Sequence, residues 1–173
     1  MIKPFPNKKY KTIYADPAWE LMGGGKYKRG ANRHYKILST KHIISMSPAI
    51  HRISEENSHL YLWVANNFLK DGLMVMEEWG FRYVNVVTWV KDRIGLGKYF
   101  RNRTEHCLFG VKGKLPFKEP ASTLIEYPRT KHSKKPDIMY DYIEKVSYPS
   151  YIELFARQKR PGWDSWGNDI NVI

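Results

Sequence analysis

The sequence predicts an α/β fold in which helices flank a mainly parallel sheet. Short apolar runs typical of buried strands alternate along the chain with segments that carry helix signals, and such alternation is typical of a parallel sheet with helices on its faces. The chain has 173 residues, 42% of them hydrophobic, which is enough to build a sizeable core. We find no internal repeat, low-complexity segment or domain boundary, so we expect residues 1–173 to form one domain.

Apolar runs rich in β-branched and aromatic side chains predict the strands. The run from Leu60 to Ala65 is apolar throughout, as expected for a buried strand. In chain order, the predicted strands cover 11–15, 60–65, 83–90, 105–111, 122–127 and 151–156.

Polar capping residues, glycine and proline predict where helices begin and end. The expected helices cover 40–46, 67–79 and 136–146. The residues that carry these signals are Ser39, Thr40 and Pro48 for the first helix, Asn66, Asn67 and Gly80 for the second, and Pro136 and Asp137 for the third.

The composition favours a polyanionic partner. The net charge is +12 and the isoelectric point is near 9.7, so phosphate backbones are attracted to the surface by counterion release. No apolar run approaches the roughly 18 residues of a membrane span, and no basic amphipathic helix predicts binding to a membrane surface. Cys107 is the only cysteine and lies in an apolar run, so we expect it to be buried and unpaired. Without the apolar segment of a signal peptide, the protein is expected in the cytoplasm.

The most informative stretch follows the first predicted strand. There, Asp16, Pro17, Ala18 and Trp19 come directly after the apolar run 12–15. Proline biases the preceding residue towards extended geometry, so the carboxylate, the next carbonyls and the indole lie at the mouth of the sheet, where α/β proteins bind ligands. Acceptors beside a flat aromatic face suit a planar ring with an exocyclic amine, such as adenine. Taken alone, Asp16–Pro17 more often marks an ordinary turn, where both residue types are common.

Further motifs occur in a fixed order along the chain. They are ADPAW at 15–19, LWV at 62–64, WVK at 89–91, EHCLFGVKG at 105–113, HSKKPD at 132–137, ELFAR at 153–157 and GWDSWGN at 162–168. This ordered set resembles the family of S-adenosylmethionine-dependent adenine-N6 methyltransferases that includes the catalytic subunit of the eukaryotic mRNA adenosine methyltransferase. The resemblance extends from about residue 11 to 169, and the shorter bacterial and phage members look most similar.

The resemblance implies a Rossmann-like class I methyltransferase sheet with a permuted motif order. The catalytic strand comes first, and the strand that receives the cofactor comes near the end. This order agrees with the absence of a Gly-x-Gly-x-x-Gly motif from the sequence, since residues 157–162 follow the last predicted strand instead. Side chains and this final loop are therefore expected to hold the cofactor.

The resemblance also implies the catalytic residues, and the chemistry of the adenine amine supports them. This amine is a poor nucleophile because its lone pair is delocalised into the ring. Acceptors from the Asp16 carboxylate and the Pro17 carbonyl would bond both amine hydrogens and expose the lone pair, and Trp19 would stack on the base. Tyr35 matches a tyrosine that helps to enclose the reaction centre, although a packed loop aromatic is equally plausible. Ala18 replaces the second proline of the usual Asp-Pro-Pro-Trp motif, which loosens the turn but keeps the acceptors.

Matching positions imply where S-adenosylmethionine binds. Lys135 matches a lysine that pairs with the cofactor carboxylate, and Asn168 matches a residue that bonds its ribose. Arg157 matches an arginine near the ribose, with a surface charge as the alternative. Asp169 departs from the glutamine or glutamate often found there, and Asp16 is also expected to contact the cofactor.

Two other features carry plainer interpretations. The adjacent Glu105 and His106 invite an acid–base role, but the resemblance favours a structural strand position. The histidines and the single cysteine show no metal-ligand spacing, so we expect no metal.

The hypothesis is therefore a DNA adenine-N6 methyltransferase of site-specific or relaxed specificity. In duplex DNA the target base must be flipped out. Candidates for phosphate contacts lie in two basic, glycine-bearing loops and are Lys26, Lys28, Arg29, Arg33, Lys98, Arg101 and Arg103. The alternatives are RNA adenosine methylation by the same residues, cytosine-N4 methylation, which usually has serine in place of Asp16, and a non-catalytic nucleic-acid-binding subunit. The protein is expected to be a monomer or a homodimer.

Overall fold

A computed structural model describes residues 4–20, 38–95, 99–129 and 134–167 of the chain. It contains a seven-stranded sheet flanked by helices, which confirms the predicted α/β fold. The elements in chain order are β1 (Tyr10–Ala15), α1 (Thr40–Ile44), α2 (Ser47–Ile53), β2 (Ser54–Val64), a 3-10 turn (Asn66–Phe68), α3 (Leu69–Glu78), β3 (Arg82–Val90), β4 (Thr104–Lys112), β5 (Leu124–Glu126), α4 (Ile138–Val146), β6 (Tyr151–Leu154) and β7 (Trp163–Trp166).

The sheet is mainly parallel, as predicted, with the strand order β5-β3-β4-β2-β1-β6-β7. β1 pairs in parallel with β2 and β6, β6 with β7, and β3 with β5. Only β4 runs against its neighbours, β2 and β3, in the sheet. The carboxyl ends of β1, β2, β3 and β6 therefore share one edge of the sheet with the amino end of β4. Polar residues that follow the parallel strands, or that begin β4, are collected at this edge.

Helices cover the two faces of the sheet with two separate hydrophobic cores. Side chains alternate between the faces along a strand, so Ile13 of β1 packs in the core beneath α1, α2 and α3, whereas the adjacent Tyr14 packs in the core beneath α4. Trp79, just after α3, is fully buried and donates a hydrogen bond from its indole Nε1 to the Ile43 carbonyl at 3.0 Å. The α4 core is richer in aromatic residues, and Met139 and Tyr140 of α4 lie in it.

The first predicted helix is two helices. Ser39 caps α1 as predicted, because its Oγ accepts a hydrogen bond from the His42 amide at 3.3 Å. The range 40–46 was wrong: α1 ends at Ile44, and Pro48 lies in the first turn of α2 instead of limiting the first helix. Proline has no amide hydrogen and is tolerated in a first turn, where that hydrogen would lack a partner.

The caps of the later helices differ in part from the predicted ones. Asn66 and Asn67 do not cap α3, because they form a 3-10 turn and Phe68 takes the cap position without a side-chain hydrogen bond. Gly80 follows α3 with φ of 81°, as expected for the residue after a helix end. α4 begins at 138, after Asp137, whose side chain makes no capping hydrogen bond.

All six predicted strands are present, but three of them have different bounds. β2 begins at Ser54, six residues before the predicted start, and β5 is limited to Leu124–Glu126. The last predicted strand was placed too long. β6 ends at Leu154 because Phe155 turns the chain with φ of 63°. β7 was not predicted at all. Its two tryptophans, Trp163 and Trp166, are buried, but Asp164 and Ser165 between them are only partly so. The strand therefore shows neither alternation nor a continuous apolar run.

Candidate active site at the carboxyl edge of the sheet

Asp16 lies at the centre of the functional edge. It follows Ala15, the last residue of β1, which pairs with Leu62 of β2 on one side and Leu154 of β6 on the other. Pro17 is buried, and the Asp16 side chain is largely covered. This is the position that the sequence predicted for the Asp-Pro pair.

Four charged side chains meet at this edge and form what we call the charged cluster: Asp16, Lys91, Glu105 and Lys135. The Lys135 ammonium lies 3.0 Å from Oδ1 of Asp16 and 3.2 Å from Oε2 of Glu105. Lys91 contacts the other oxygen of Glu105. Two cations therefore face two carboxylates, and these side chains retain only 11–24% of their exposure. The formal charges of the four side chains sum to zero, but each charged group faces a specific partner.

Ion pairing keeps Lys135 and Glu105 charged although both side chains are largely buried. Burial by itself would lower the pKa of Lys135, but the carboxylates of Asp16 and Glu105 outweigh it and raise that pKa above its usual value. Burial would likewise raise the pKa of Glu105, but Lys135 and Lys91 hold it below the usual value. Lys135 is therefore an ammonium and Glu105 a carboxylate near neutral pH.

An aromatic ring lies close to the ammonium group of each lysine. The Lys135 ammonium lies 5.4 Å from the ring centre of Trp63, and the Lys91 ammonium lies 4.7 Å from that of Trp89, within the range of cation–π attraction. Trp63 is itself fixed, because its indole Nε1 donates to the Tyr14 hydroxyl at 2.6 Å. The two ammonium groups are thus held by ring contacts as well as by ion pairs.

Trp19 anchors the segment that carries Asp16. Its indole Nε1 donates to the Trp63 carbonyl at 2.9 Å, and its ring stacks on Phe68 with a centroid distance of 5.5 Å. The Leu38 amide donates to the Ala18 carbonyl at 2.9 Å. One face of the Trp19 ring is therefore covered by protein, and the side chain remains partly exposed. The predicted stacking of this ring on a base stays a prediction.

The chain makes a tight turn where β6 ends, beside Asp16. After Phe155, the Ala156 amide donates to the Trp166 carbonyl at 3.0 Å. A Cβ placed on Gly167 would lie only 2.5 Å from the Ala156 carbonyl oxygen, so a side chain there would clash with backbone. Arg157 follows directly and is partly buried. The ends of β6 and β7 are thus held in close contact next to the catalytic strand.

Glu153 is a further titratable group near the edge. It lies on β6, paired in register with Tyr14, and its Oε2 accepts a hydrogen bond from the Tyr140 hydroxyl at 2.9 Å. Burial raises the pKa of Glu153 to about 7, with the Asp16 charge adding to the rise, while Tyr140, Arg157 and Arg160 oppose it. The sequence analysis did not identify this residue.

Part of the predicted site is therefore assembled by the described residues. Asp16, Pro17, Trp19 and Lys135 are brought together, and Arg157 lies at the end of the neighbouring β6. Arg101 and Arg103 lie exposed in the loop between β3 and β4. Eight predicted residues lie outside the described residues: Lys26, Lys28, Arg29, Arg33, Tyr35, Lys98, Asn168 and Asp169.

Sequence reasoning missed Lys91, Glu105 and Trp63 as members of the site. Glu105 lies in a strand, as expected, at the second position of β4, but it also forms two ion pairs. Its neighbour His106 contacts the Thr88 hydroxyl at 3.1 Å on the strand ladder. Glu105 reaches the site because it lies opposite Trp89 in the β3–β4 pairing. The apolar pattern of the sequence does not encode this antiparallel pairing, so it gave no signal for Glu105.

Two features bear on alternative sites. Among the residues that the structure describes, no group of three or more histidine, cysteine or acidic side chains could hold a metal ion. In the same part of the chain, no helix has the length and apolar character needed to cross a membrane. Cys107 is buried, as predicted, and burial raises the pKa of its thiol.

Comparison with known proteins assigns the family. The MT-A70 family model matches residues 10–169. The type II methyltransferase M.MunI of Mycoplasma sp is 31% identical over 188 residues, which cover 95% of this chain and 79% of that protein. A putative N(6)-adenosine-methyltransferase MT-A70-like protein of Medicago truncatula is 29% identical, and the human N(6)-adenosine-methyltransferase catalytic subunit METTL3 is 28% identical. Each of these alignments covers 95% of this chain, but only 27% and 29% of those longer proteins.

The matched residues include every strand of the sheet and the whole charged cluster. The mixed seven-stranded sheet with flanking helices is the class I methyltransferase arrangement that the resemblance implied. The chain belongs to the MT-A70 family.

Proposed function

We propose that this protein transfers a methyl group from S-adenosylmethionine to the N6 amine of adenine in DNA. Family membership gives the reaction class, an adenine-N6 methyltransferase. The observation that carries the proposal is the pairing of Asp16 with the buried ammonium of Lys135 at the edge where β1, β2 and β6 end. That arrangement supplies an acceptor and a cation side by side, at the position where α/β proteins bind ligands.

The charged cluster fits the amino-acid end of S-adenosylmethionine, which carries an ammonium and a carboxylate. Asp16 can accept from the ammonium, and Lys135 can donate to the carboxylate, because the two side chains lie 3.0 Å apart. Glu105 and Lys91 balance the remaining charge. The close turn after β6, with Arg157 beyond it, supports the expected contact of Arg157 with the ribose. Asn168 and Asp169 complete the proposed ribose contacts.

The chain's own residues prepare the adenine amine. The Asp16 carboxylate accepts a hydrogen bond from one N–H of the amine, and the Pro17 carbonyl accepts one from the other. The nitrogen therefore becomes pyramidal and its lone pair is exposed. The proline ring fixes the φ angle of Pro17 and so restricts the backbone that carries this carbonyl. When bound, S-adenosylmethionine supplies an electrophilic methyl group. The residues of the charged cluster are held by ion pairs and ring contacts before substrate arrives, so positioning and electrostatic preorganisation account for much of the rate.

Trp19 and Tyr35 are proposed to hold the base. Trp19 is anchored through Trp63 and Phe68, so a base that stacks on it meets a ring that is already ordered. Base–aromatic stacking contributes about 1–3 kcal/mol. Tyr35 would close the reaction centre.

DNA is the substrate that the charge and the relatives favour together. The net charge of +12 suits a polyanion. The similarity covers 79% of a type II methyltransferase, but only 27% and 29% of the N(6)-adenosine-methyltransferases compared. Those adenosine methyltransferases make RNA the second candidate substrate, and it would use the same residues.

The test is nucleoside mass spectrometry after the protein is incubated with S-adenosylmethionine and unmethylated DNA, with RNA in parallel. We expect N6-methyldeoxyadenosine in the DNA, and at least about a 100-fold lower rate for Asp16→Ala. Asp141→Ala is the matched control, because Asp141 is an exposed acid that pairs with Arg160 away from the charged cluster. Methylation confined to RNA would keep the mechanism and change the substrate. Full activity of a folded Asp16→Ala variant would contradict the mechanism.

A further inference from the structure

Tyr99 and Phe100 are nearly free of protein contact. Their exposures are 96% and 93%, whereas the other exposed large hydrophobic side chains that the structure describes reach only 51%. Single apolar residues on a surface need no explanation, but two adjacent aromatic rings that bury nothing add nothing to the core. Their contribution must lie in what they contact outside this chain.

The loop that carries the two rings is tied at its base. The Lys91 amide donates to the Arg103 carbonyl and the Gly95 amide to the Asn102 carbonyl, each at 2.8 Å. The Arg101 guanidinium donates to the Gly95 carbonyl at 2.9 Å, and that of Arg103 donates to the Lys91 carbonyl at 2.7 Å. The rings are therefore presented from a hydrogen-bonded stem.

This stem begins at the charged cluster. Lys91 lies at the end of β3 and contacts Glu105 at the start of β4. Glu105 contacts Lys135, which contacts Asp16. The loop therefore extends from the same edge of the sheet that holds the proposed catalytic carboxylate.

The residues around the two rings are mainly basic, which favours a polyanionic partner. Residues 91–103 contain five lysines and arginines and one acid, Asp92. That acid is already paired, because it accepts from the Arg93 side chain and the Arg129 amide. Arg101 and Arg103 are exposed. Aromatic rings interspersed with exposed positive charge fit a nucleic acid, because the rings can stack on bases while the cations bind phosphates.

We propose that Tyr99 and Phe100 form an aromatic wedge that enters the base stack beside the target adenine. The inference rests on the proposed function, in which the adenine must leave a duplex to reach Asp16. Extrusion breaks stacking on both sides of the base, and apolar side chains inserted between base steps are a known way to offset that loss. The two rings restore stacking in the gap, while Arg101 and Arg103 hold the flanking phosphates.

The test compares duplex and single-stranded substrates of one sequence, once the methylated adenine has been mapped. The double variant Tyr99→Ala/Phe100→Ala removes both rings. In single-turnover assays we expect its methylation rate on the duplex to fall about tenfold, because one stacking contact is of that order. On the single strand, where no paired stack must open, the rate should fall less than about threefold. Affinity for S-adenosylmethionine, measured by calorimetry, should not change.

Two control variants test whether the effect is specific to the two aromatic rings of this loop. Tyr99→Phe/Phe100→Tyr keeps both rings and should keep the duplex rate. Tyr83→Ala removes a ring of 43% exposure near the start of β3, away from the edge, and should also keep it. With 2-aminopurine in place of the target adenine, the wild type should raise the duplex fluorescence and the double variant should raise it less.

Several results would overturn the wedge. Equal losses on duplex and single strand would make the loop a general binding surface, and no loss on either would remove its role. A fall in sedimentation mass of the double variant would assign the rings to a contact between protein chains. If the wild type methylated no DNA, both the proposed function and the wedge would be wrong. If the wild type were active and the double variant were unaffected, only the wedge would be wrong.

Discussion

Two polar clusters of this protein differ in how fully their hydrogen-bonding capacity is used. The charged cluster lies at the carboxyl edge of the sheet. The second, which we call the neutral cluster, consists of His59, Tyr61, Ser147 and the Leu115 carbonyl. His59 contacts the Ser147 hydroxyl through Nδ1 at 2.8 Å and the Leu115 carbonyl through Nε2 at 2.7 Å, and the Tyr61 hydroxyl lies 2.7 Å from that of Ser147.

The neutral cluster is closed within the protein. A carbonyl can only accept, so Nε2 of His59 must carry the hydrogen, and Nδ1 accepts from Ser147, which in turn accepts from Tyr61. Burial lowers the pKa of His59, which favours this neutral form. Each group has its partner, so a ligand would have nothing to bind.

The charged cluster has hydrogen-bond acceptor positions beyond those that its own lysines use. A carboxylate offers about four acceptor positions, and the contacts of Lys135 use one oxygen each of Asp16 and Glu105. Its side chains also retain some exposure to solvent. The difference predicts that changes in the charged cluster affect ligand binding first, whereas changes in the neutral cluster affect stability first.

The largest expected effect follows from removal of the central ammonium. Lys135→Met should weaken S-adenosylmethionine binding roughly 100-fold, because loss of one partner from a buried charge pair costs about 2–5 kcal/mol. Isothermal titration calorimetry measures this directly.

Its matched control is the adjacent lysine. Lys134 pairs with Asp137 on the surface, with 39% of its side chain exposed, and exposed ion pairs contribute little. Lys134→Met should therefore bind the cofactor as the wild type does. Normal affinity in Lys135→Met would remove this lysine from the cofactor site.

The converse experiment breaks the neutral cluster. His59→Ala leaves Ser147 and the Leu115 carbonyl without their partner and opens a cavity, so the free energy of unfolding should fall by about 2 kcal/mol. Urea denaturation measures the loss. Affinity for S-adenosylmethionine should stay within about twofold, since the neutral cluster is not part of the cofactor site. A His59→Ala protein with unchanged stability and impaired cofactor binding would contradict this prediction.

The fold was largely predictable because strand and helix periodicity are local properties. The edge position of Asp16 followed from an apolar run that ends in Asp-Pro, and β1 does end there. Pro48 shows the limit of this logic, since a proline signals either the end of one helix or the start of the next. β7 shows another, because its burial comes from parallel pairing with β6 and from contacts made across the chain.

The charged cluster was predictable only in part. Asp16 and Lys135 were identified by motif order, but their mutual contact depends on how the sheet is threaded. Glu105 reaches Lys135 because β4 runs antiparallel between β2 and β3. No feature of residues 104–112 in isolation specifies that direction.

A smaller effect is expected at Glu153, a buried carboxyl that belongs to neither cluster. Its folded-state pKa of about 7 lies above the unfolded value, so the folded state holds the extra proton. The stabilisation is present below about pH 4.5 and is lost as the pH rises through about 7. Glu153→Gln remains neutral and can still accept from Tyr140, so at pH 8 it should be more stable than the wild type by about 1–2 kcal/mol.

Chemical denaturation at several pH values tests this prediction. The difference in unfolding free energy between variant and wild type should be small at pH 4.5 and grow towards pH 8. A difference that is independent of pH would mean that Glu153 does not titrate in this range.

The smallest expected effect concerns the pH dependence of the neutral cluster. The folded-state pKa of His59 lies below its unfolded value of about 6.5, because burial disfavours the imidazolium. The unfolded chain therefore binds the extra proton, and the stability from this group is present above about pH 6.5 and is lost as the pH falls towards the folded-state pKa.

His106 also has a lowered pKa through burial, so a fall in wild-type stability on acidification does not by itself identify His59. The informative quantity is the change in unfolding free energy between pH 7 and pH 5, compared in wild type and His59→Ala. The wild type should lose more on acidification, because the variant has no imidazole to protonate at this site while His106 contributes equally to both. Parallel losses in the two proteins would assign the acid sensitivity to other groups. The neutral cluster would then stabilise the fold through its hydrogen bonds without responding to pH.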